Sequence, residues 1–202
     1  MIKEINSAKE VDMIEYNPGS PNTIGKPIIG YDFEAMEEQM KEVKKIIKKP
    51  WGVKLPPYFD LVHYEQITKI LNKYPPDYVC SINSLGNSMI IDADKEQVVI
   101  KPKGGLGGLG GVYTKPTGLA NIATLRKMLD QKIKLIGVGG VMNGTDAFEY
   151  ILAGADAVQT ASTLMMEGPK CFSRLNKELS SLMDKKKYKG IDEFKGKLKI
   201  ID

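Results

Sequence analysis

The chain has 202 residues, 42% hydrophobic and 27% charged, which is the balance of an ordinary soluble globular protein with enough chain for one real core. Its 29 basic and 25 acidic residues leave a net charge of +4, too mild to argue for nucleic acid, and no run approaches the ~18 apolar residues of a membrane helix. Cys80 and Cys171 stand in unrelated contexts without metal-ligand spacing, so two reduced thiols in a cytoplasmic protein are expected, and the opening "MIKEINSAKE" is too polar for a signal peptide.

In chain order, "VDMIEY" at residues 11–16 reads as a buried strand, and "NPGSPNTIGKP" after it as a Pro- and Gly-punctuated loop. Asp32 is placed to cap a helix through Lys48, with Phe33, Met36, Met40, Val43 and Ile47 on one face. Strands are predicted at 51–55 (WGVKL), 78–83 (YVCSIN), 134–140 (KLIGVGG) and 157–162 (AVQTAS). Helices are predicted at 61–74, 118–131, 145–153 and 169–185. This alternation means βα units and a parallel sheet in a single domain. One interval, 86–113, breaks the rhythm with a hairpin pattern, "SMIIDADKEQVVIKP", followed by "GGLGGLGGVY". The glycine run neither directly follows a strand nor opens a helix with a downstream acidic residue, so it reads as a flexible loop and not a dinucleotide fingerprint.

Ligands of parallel α/β folds gather at the carboxyl ends of strands. The residues there are Asn17 to Asn22, Lys54, then Asn83, Ser84 and Asn87, then Gly139 and Gly140, and finally Ala161 and Ser162. That set holds one cation, several amides and hydroxyls, and two places where backbone N–H groups are open to approach. The glycine pair of "GVGGV" and the start of "ASTLMMEG", at the ends of the last two strands, together favour a phosphate. Other residues have plainer readings. His63 is a surface or cap histidine. Tyr58 and Phe59 pack under the loop, the methionines fill core or interface, and Asp60, Asp92 and Asp94 lack metal-ligand spacing.

The motifs "SPNTIGKP", "YDFEAM", "GVKLPPYFDLVHYE", "INSLGN", "VVIKPKGGLGGLGG", "KPTGLAN", "GVGGV", "GTDAFEYILAGA" and "EGPKCF" run in register over about residues 14–201. In them the chain resembles the C-terminal part of the dihydroorotate dehydrogenases, of the fumarate-reducing class. The resemblance implies an α/β TIM-barrel fold, (β/α)₈, with FMN at its carboxyl-end face. It implies oxidation of dihydroorotate to orotate, with fumarate as a possible electron acceptor, in pyrimidine biosynthesis. By the same resemblance Ser20 stands at the catalytic base, and Asn17, Asn22, Asn83 and Ser84 at the substrate. Lys54 would contact the flavin together with Asn17, Ile82 and Gly111, and the phosphate would sit on Gly139, Gly140, Ala161 and Ser162. The chain departs from the class in having serine where cysteine is usual at the base, and Pro18-Gly19 where the family has Leu-Ser.

A (β/α)₈ barrel typically takes about 250 residues. The five predicted strands match the family's last five, so an incomplete barrel with about five parallel strands and flanking helices is expected. Its two open edges imply a homo-oligomer or pairing with another chain. The first eight residues, "MIKEINSA", do not match the family's pattern and offer no replacement strand. A catalytically silent remnant, and another FMN barrel acting on a pyrimidine, are the alternatives.

Overall fold

The computed structural model describes residues 2–22 and 25–201. The chain order is α1 (Ile2–Ser7), β1 (Ile14–Tyr16), α2 (Phe33–Ile46), β2 (Trp51–Leu55), α3 (Leu61–Lys73), β3 (Tyr78–Ser81), β4 (Leu85–Ser88), β5 (Ile91–Asp92), β6 (Gln97–Val98), β7 (Gly107–Leu109), α4 (Lys115–Met128), β8 (Lys134–Val138), α5 (Gly144–Ala153), β9 (Ala157–Gln159), α6 (Ser162–Glu167) and α7 (Lys170–Lys185). Five strands form one parallel sheet in the order β1-β2-β3-β8-β9. Sequential order with helical crossovers is how one half of a closed barrel is laid down, and the five expected strands are the five observed.

The helix starts predicted after Asp32, at 61 and near 145 hold because their caps are made, whereas the helix predicted from 118 begins at Lys115, with Pro116 in its first turn and no side-chain cap. Asp32 accepts the Ala35 amide at 3.0 Å, and Asp60 accepts that of His63 at 2.9 Å. Asn143 and Asp146 close a capping box at α5. The apolar face of α2 is buried through Met36, Met40 and Val43, as its spacing requires. On the strands, alternate residues Val53, Leu55, Val79 and Leu135 are fully buried beneath the helices, where they join Ile67, Leu71, Ile122 and Leu125 in the main core.

Several expectations need correction. The first strand begins at Ile14 and not at residue 11, because its neighbour β2 supplies pairing partners only from Trp51 onward, opposite Ile14. The last ends at Gln159, because Ser162 already opens α6, a short helix the reading omitted. Phe59 does not pack under the loop: it is 70% exposed, while Tyr58 beside it is buried. Of the methionines expected in core or interface, Met36 and Met40 are core, and Met165 and Met166 are on the surface. The glycine run is not a free loop, since β7 within it pairs antiparallel with β4. Its glycines serve close approach: a Cβ at Gly108 would stand 2.2 Å from the Ser84 hydroxyl. The hairpin expected between 88 and 102 is present as β5 and β6. The first residues form α1, whose neighbour role is carried by Asn6. Its amide bonds the Ile46 carbonyl at 2.7 Å and the Lys48 N–H at 3.0 Å, clasping the end of α2.

Candidate active site

On β2, Val53 and Leu55 turn to the core, so Lys54 turns to the concave inner face of the sheet. There its ammonium donates to Gln159 Oε1 at 2.9 Å and to Cys80 Sγ at 3.2 Å, and it lies 3.7 Å from the Glu15 carboxylate. Gln159 Nε2 donates to Glu15 at 3.1 Å, and the Cys80 thiol donates to Gln159 Oε1 at 3.1 Å. Glu15 lies on the edge strand β1 and Gln159 on the opposite edge β9. The sheet is therefore curved enough for side chains to bridge its two edges. Burial pushes the Cys80 thiol up to about 12, with the Lys54 charge only partly opposing it, so the group is a neutral donor and not a nucleophile.

Above Lys54 the strand ends enclose a cavity of about 200 Å³. It is lined by Lys54, Ile82, Asn83 and Ser84 together with Gly111, Gly139, Gly140, Ala161 and Ser162. Every residue expected to hold the cofactor is thus brought to one cavity except Asn17. The walls also include Thr114, Val138, Val141 and Thr160, which the sequence reading did not single out. Gly139 and Gly140 adopt φ of +124° and +66°. A Cβ at Gly140 would lie 2.9 Å from the Gly111 carbonyl oxygen and 3.1 Å from Val112 Cα. Only glycine lets these two backbones meet here. The first amides of α6 have no partner within the helix and point toward its N-terminal side.

Beyond β3, the peptide between Ser81 and Ile82 is cis, and the Asn83 amide N–H donates to the Leu55 carbonyl at 2.8 Å. The Asn83 side chain donates to Asn17 Oδ1 at 2.8 Å, and Asn17 Oδ1 also accepts the Gly19 N–H at 3.2 Å. Asn22 and Ser84 both approach Gly108, whose Cβ position lies 3.4 Å from Asn22 Oδ1. The four residues expected at the substrate therefore fall into two neighbouring pairs. Ser20 adjoins the second pair but not the cavity wall. Its hydroxyl accepts the Asn22 N–H at 3.4 Å, and it does not line the strand-end cavity. Its neighbours Gly19 and Pro21 line a second cavity of about 340 Å³, which shares Ser84 with the first. Thr23 and Ile24 of the same loop motif lie outside the described residues.

The loop carrying Ser20 is held from below. A Cβ at Gly19 would stand 2.5 Å from Pro56 N, so the Pro18-Gly19 departure seats the loop directly on the end of β2. The Gly30 N–H donates to the Pro18 carbonyl at 3.1 Å, and the buried Tyr58 hydroxyl donates to the Gly30 carbonyl at 2.7 Å. Asn121 of α4 grips the Tyr58 backbone from both sides, its side chain bonding the N–H at 2.9 Å and the carbonyl at 3.0 Å. From the glycine-rich segment, Lys103 donates to the Pro21 carbonyl at 2.6 Å. A larger groove of about 700 Å³ lies between α2 and α3, but it touches no strand end and is lined by the exposed Glu37–Lys73 ion pair. Among the described residues there is no group of three His, Cys, Asp or Glu side chains able to hold a metal, and no helix long and apolar enough to cross a membrane.

The dihydroorotate dehydrogenase family model matches residues 1–183, so the opening "MIKEINSA" lies within the match, contrary to the expectation that it falls outside the family. A probable dihydroorotate dehydrogenase A (fumarate) of Enterococcus faecalis is 51% identical over 199 residues, covering 98% of this chain and 64% of that protein. Dihydroorotate dehydrogenase A (fumarate) of Lactococcus lactis subsp. lactis is also 51% identical over 199 residues. Dihydroorotate dehydrogenase (fumarate) of Saccharomyces cerevisiae is 47% identical over 201 residues, again 64% of its length. The chain spans about 64% of the length of these relatives. The matched family folds as a TIM barrel. The parallel sheet described here, with its flanking helices, is an open portion of that architecture, and no closed barrel forms among the described residues.

Proposed function

The chain belongs to the dihydroorotate dehydrogenase family, and from that premise we propose that it is a flavoprotein which binds FMN and oxidises dihydroorotate to orotate in cytoplasmic pyrimidine biosynthesis. The observation that carries this reading is the strand-end cavity. Its lining offers one ammonium, Lys54, and a glycine cradle at Gly139 and Gly140. That donor set fits FMN. The phosphate end takes the amides around Gly139, Gly140, Ala161 and Ser162, which a Cβ at Gly140 would block. The cavity of about 200 Å³ would take the phosphate at its glycine residues, and Lys54, which also lines it, would hold the flavin. Ile82, Gly111 and Asn17 would complete its contacts. When bound, FMN supplies the hydride acceptor.

The chain's own residues would do the rest. Asn17, Asn22, Asn83 and Ser84 hold the polar edges of dihydroorotate. Ser20 would take a proton from carbon while its own hydroxyl proton passes to water, and Lys54 would stabilise negative charge on the flavin, which would supply the hydride acceptor. Fumarate, which appears in the relatives' names, is the proposed electron acceptor. The edge strands β1 and β9 each have a single sheet neighbour among the described residues, which supports a second copy or another polypeptide completing the assembly. A second reading, a catalytically silent homologue or partner subunit that binds FMN weakly or not at all, draws on the position of Ser20 outside the cavity wall.

Stopped-flow reduction of FMN-loaded protein by dihydroorotate separates the two. The active reading expects Ser20→Ala to slow reduction about 10²–10⁴-fold with FMN still bound, and Lys54→Ala to slow it or to weaken flavin retention. Equal rates for wild type and Ser20→Ala remove Ser20 from the mechanism. A wild-type chain that takes up no FMN supports the silent reading.

A further inference from the structure

Three loops that face the strand-end cavity are tied together through residues in and beside its wall. The Val141 carbonyl accepts the hydroxyls of Thr160 at 2.8 Å and Thr163 at 2.7 Å. The Gly111 carbonyl accepts the Thr114 hydroxyl at 2.8 Å and the Thr114 N–H at 3.1 Å. Asp146, a buried carboxylate, accepts the N–H groups of Met142 at 2.8 Å and Asn143 at 3.0 Å on one oxygen, and the Lys115 ammonium on the other. Lys115 follows Thr114 directly and opens α4, and its ammonium also reaches Glu149 at 2.6 Å. It does not line the cavity.

This ion pair is the charged link between the Gly111–Thr114 wall and the turn that follows Gly139 and Gly140. The two walls are in contact: a Cβ at Gly140 would stand 2.8 Å from Lys115 Cβ and 2.9 Å from the Gly111 carbonyl oxygen. We propose that Lys115 and Asp146 form a positioning pair that fixes the spacing of these two backbones and so gives the site its preference for a phosphorylated flavin over an unphosphorylated one. The proposal rests on the flavin reading above. Its reasoning is mechanical and electrostatic. Without the ammonium, Asp146 is a buried carboxylate short of its cation, and the start of α4 loses the contact that holds it against the Gly140 turn. The amides facing a phosphate then lose their aim. Lys54, on the inner face of β2, belongs to a separate hydrogen-bond network with Cys80 and Gln159 and keeps its place.

The test is binding of FMN and of riboflavin to the full chain, each followed by quenching of flavin fluorescence. Lys115→Met is expected to raise the Kd for FMN about tenfold and that for riboflavin less than about twofold. Lys115→Arg, which keeps the charge, is expected to restore FMN affinity to within about threefold of wild type. Equal losses for the two flavins make the pair a general scaffold and overturn the proposal, as does FMN affinity unchanged in Lys115→Met. If that variant fails to fold, Lys115→Gln decides by the same ratio of dissociation constants. A wild-type chain with no preference for FMN overturns the flavin reading and this proposal with it. A wild-type chain that prefers FMN, with variants that prefer it equally, removes this proposal alone.

Discussion

The two faces of the parallel sheet are built differently. The outer face is apolar and sealed: Val53, Leu55, Val79 and Leu135 are wholly buried under the chain's own helices. The inner face carries Glu15, Lys54, Cys80 and Gln159 in one polar network, and Ala157 beside Gln159 on β9 is exposed. Five strands suffice for a core because the helices of each βα unit supply its other half. Stability is thus invested on the outer face, and chemistry is left to the inner face and the strand ends. The same division explains why an open sheet can hold its site in place: Lys54 stands on β2, and most of the loops carrying the other site residues leave strands whose backs are packed.

The sharpest way to break this comparison is Leu135→Ala. Removing a fully buried outer-face side chain is expected to cost about 2–5 kcal/mol, read from the shift of the urea unfolding midpoint at constant slope. A cost under about 1 kcal/mol would mean that the outer layer is not where the fold is held.

Alkaline pH should act through the inner face. Cys80 is raised from 9.0 to about 12, and Tyr78 from 10.0 to about 12, each chiefly by burial. Both are acids whose folded values lie above their unfolded ones. Their contribution is therefore complete below about pH 9 and is lost as pH rises toward 12, with a slope of up to about 1.4 kcal/mol per pH unit for each proton. Unfolding free energies measured between pH 8 and 11 should fall, and Cys80→Ala should flatten the early part of the fall. An unchanged slope in that variant would place the alkaline sensitivity elsewhere.

The smallest effect is expected from Gln159→Ala. Its side chain is half-buried and bridges polar groups that water can also satisfy, so its loss should cost no more than about 1 kcal/mol by the same urea measurement. A loss equal to that of Leu135→Ala would show that the bridge between the sheet edges is a structural tie of the first rank, and the contrast between the faces would fail.

Much of the fold was legible in the chain. Met36, Met40 and Val43 repeat at helical spacing on α2, Asp32 and Asp60 precede their helices as caps, and short apolar-rich segments between the helices mark the strands. The cavity was legible too, because strand ends converge in any parallel α/β layer. The partners of Lys54 were not. Gln159 is 105 residues away from it, and Glu15 is 144 from Gln159, and nothing local brings them together. The long polar side chain of Gln159 in the predicted strand "AVQTAS" was the one available signal. Phe59 misled because an aromatic after two prolines says nothing of which way the turn points.

What the sequence determined by itself was therefore periodic and local: which residues share a helix face, where helices start, how many strands alternate with them, and that glycines cluster where strands end. Those follow from backbone geometry and from the partition of apolar side chains out of water. Only the tertiary structure decided that β1 and β9 curve until Glu15 meets Gln159, that Gly19 lies against Pro56, and that Lys115 reaches Asp146 behind the Gly140 turn. These are contacts between distant segments, set by strand register and by the curvature of the sheet, and neither quantity is encoded in the spacing of residues along the chain.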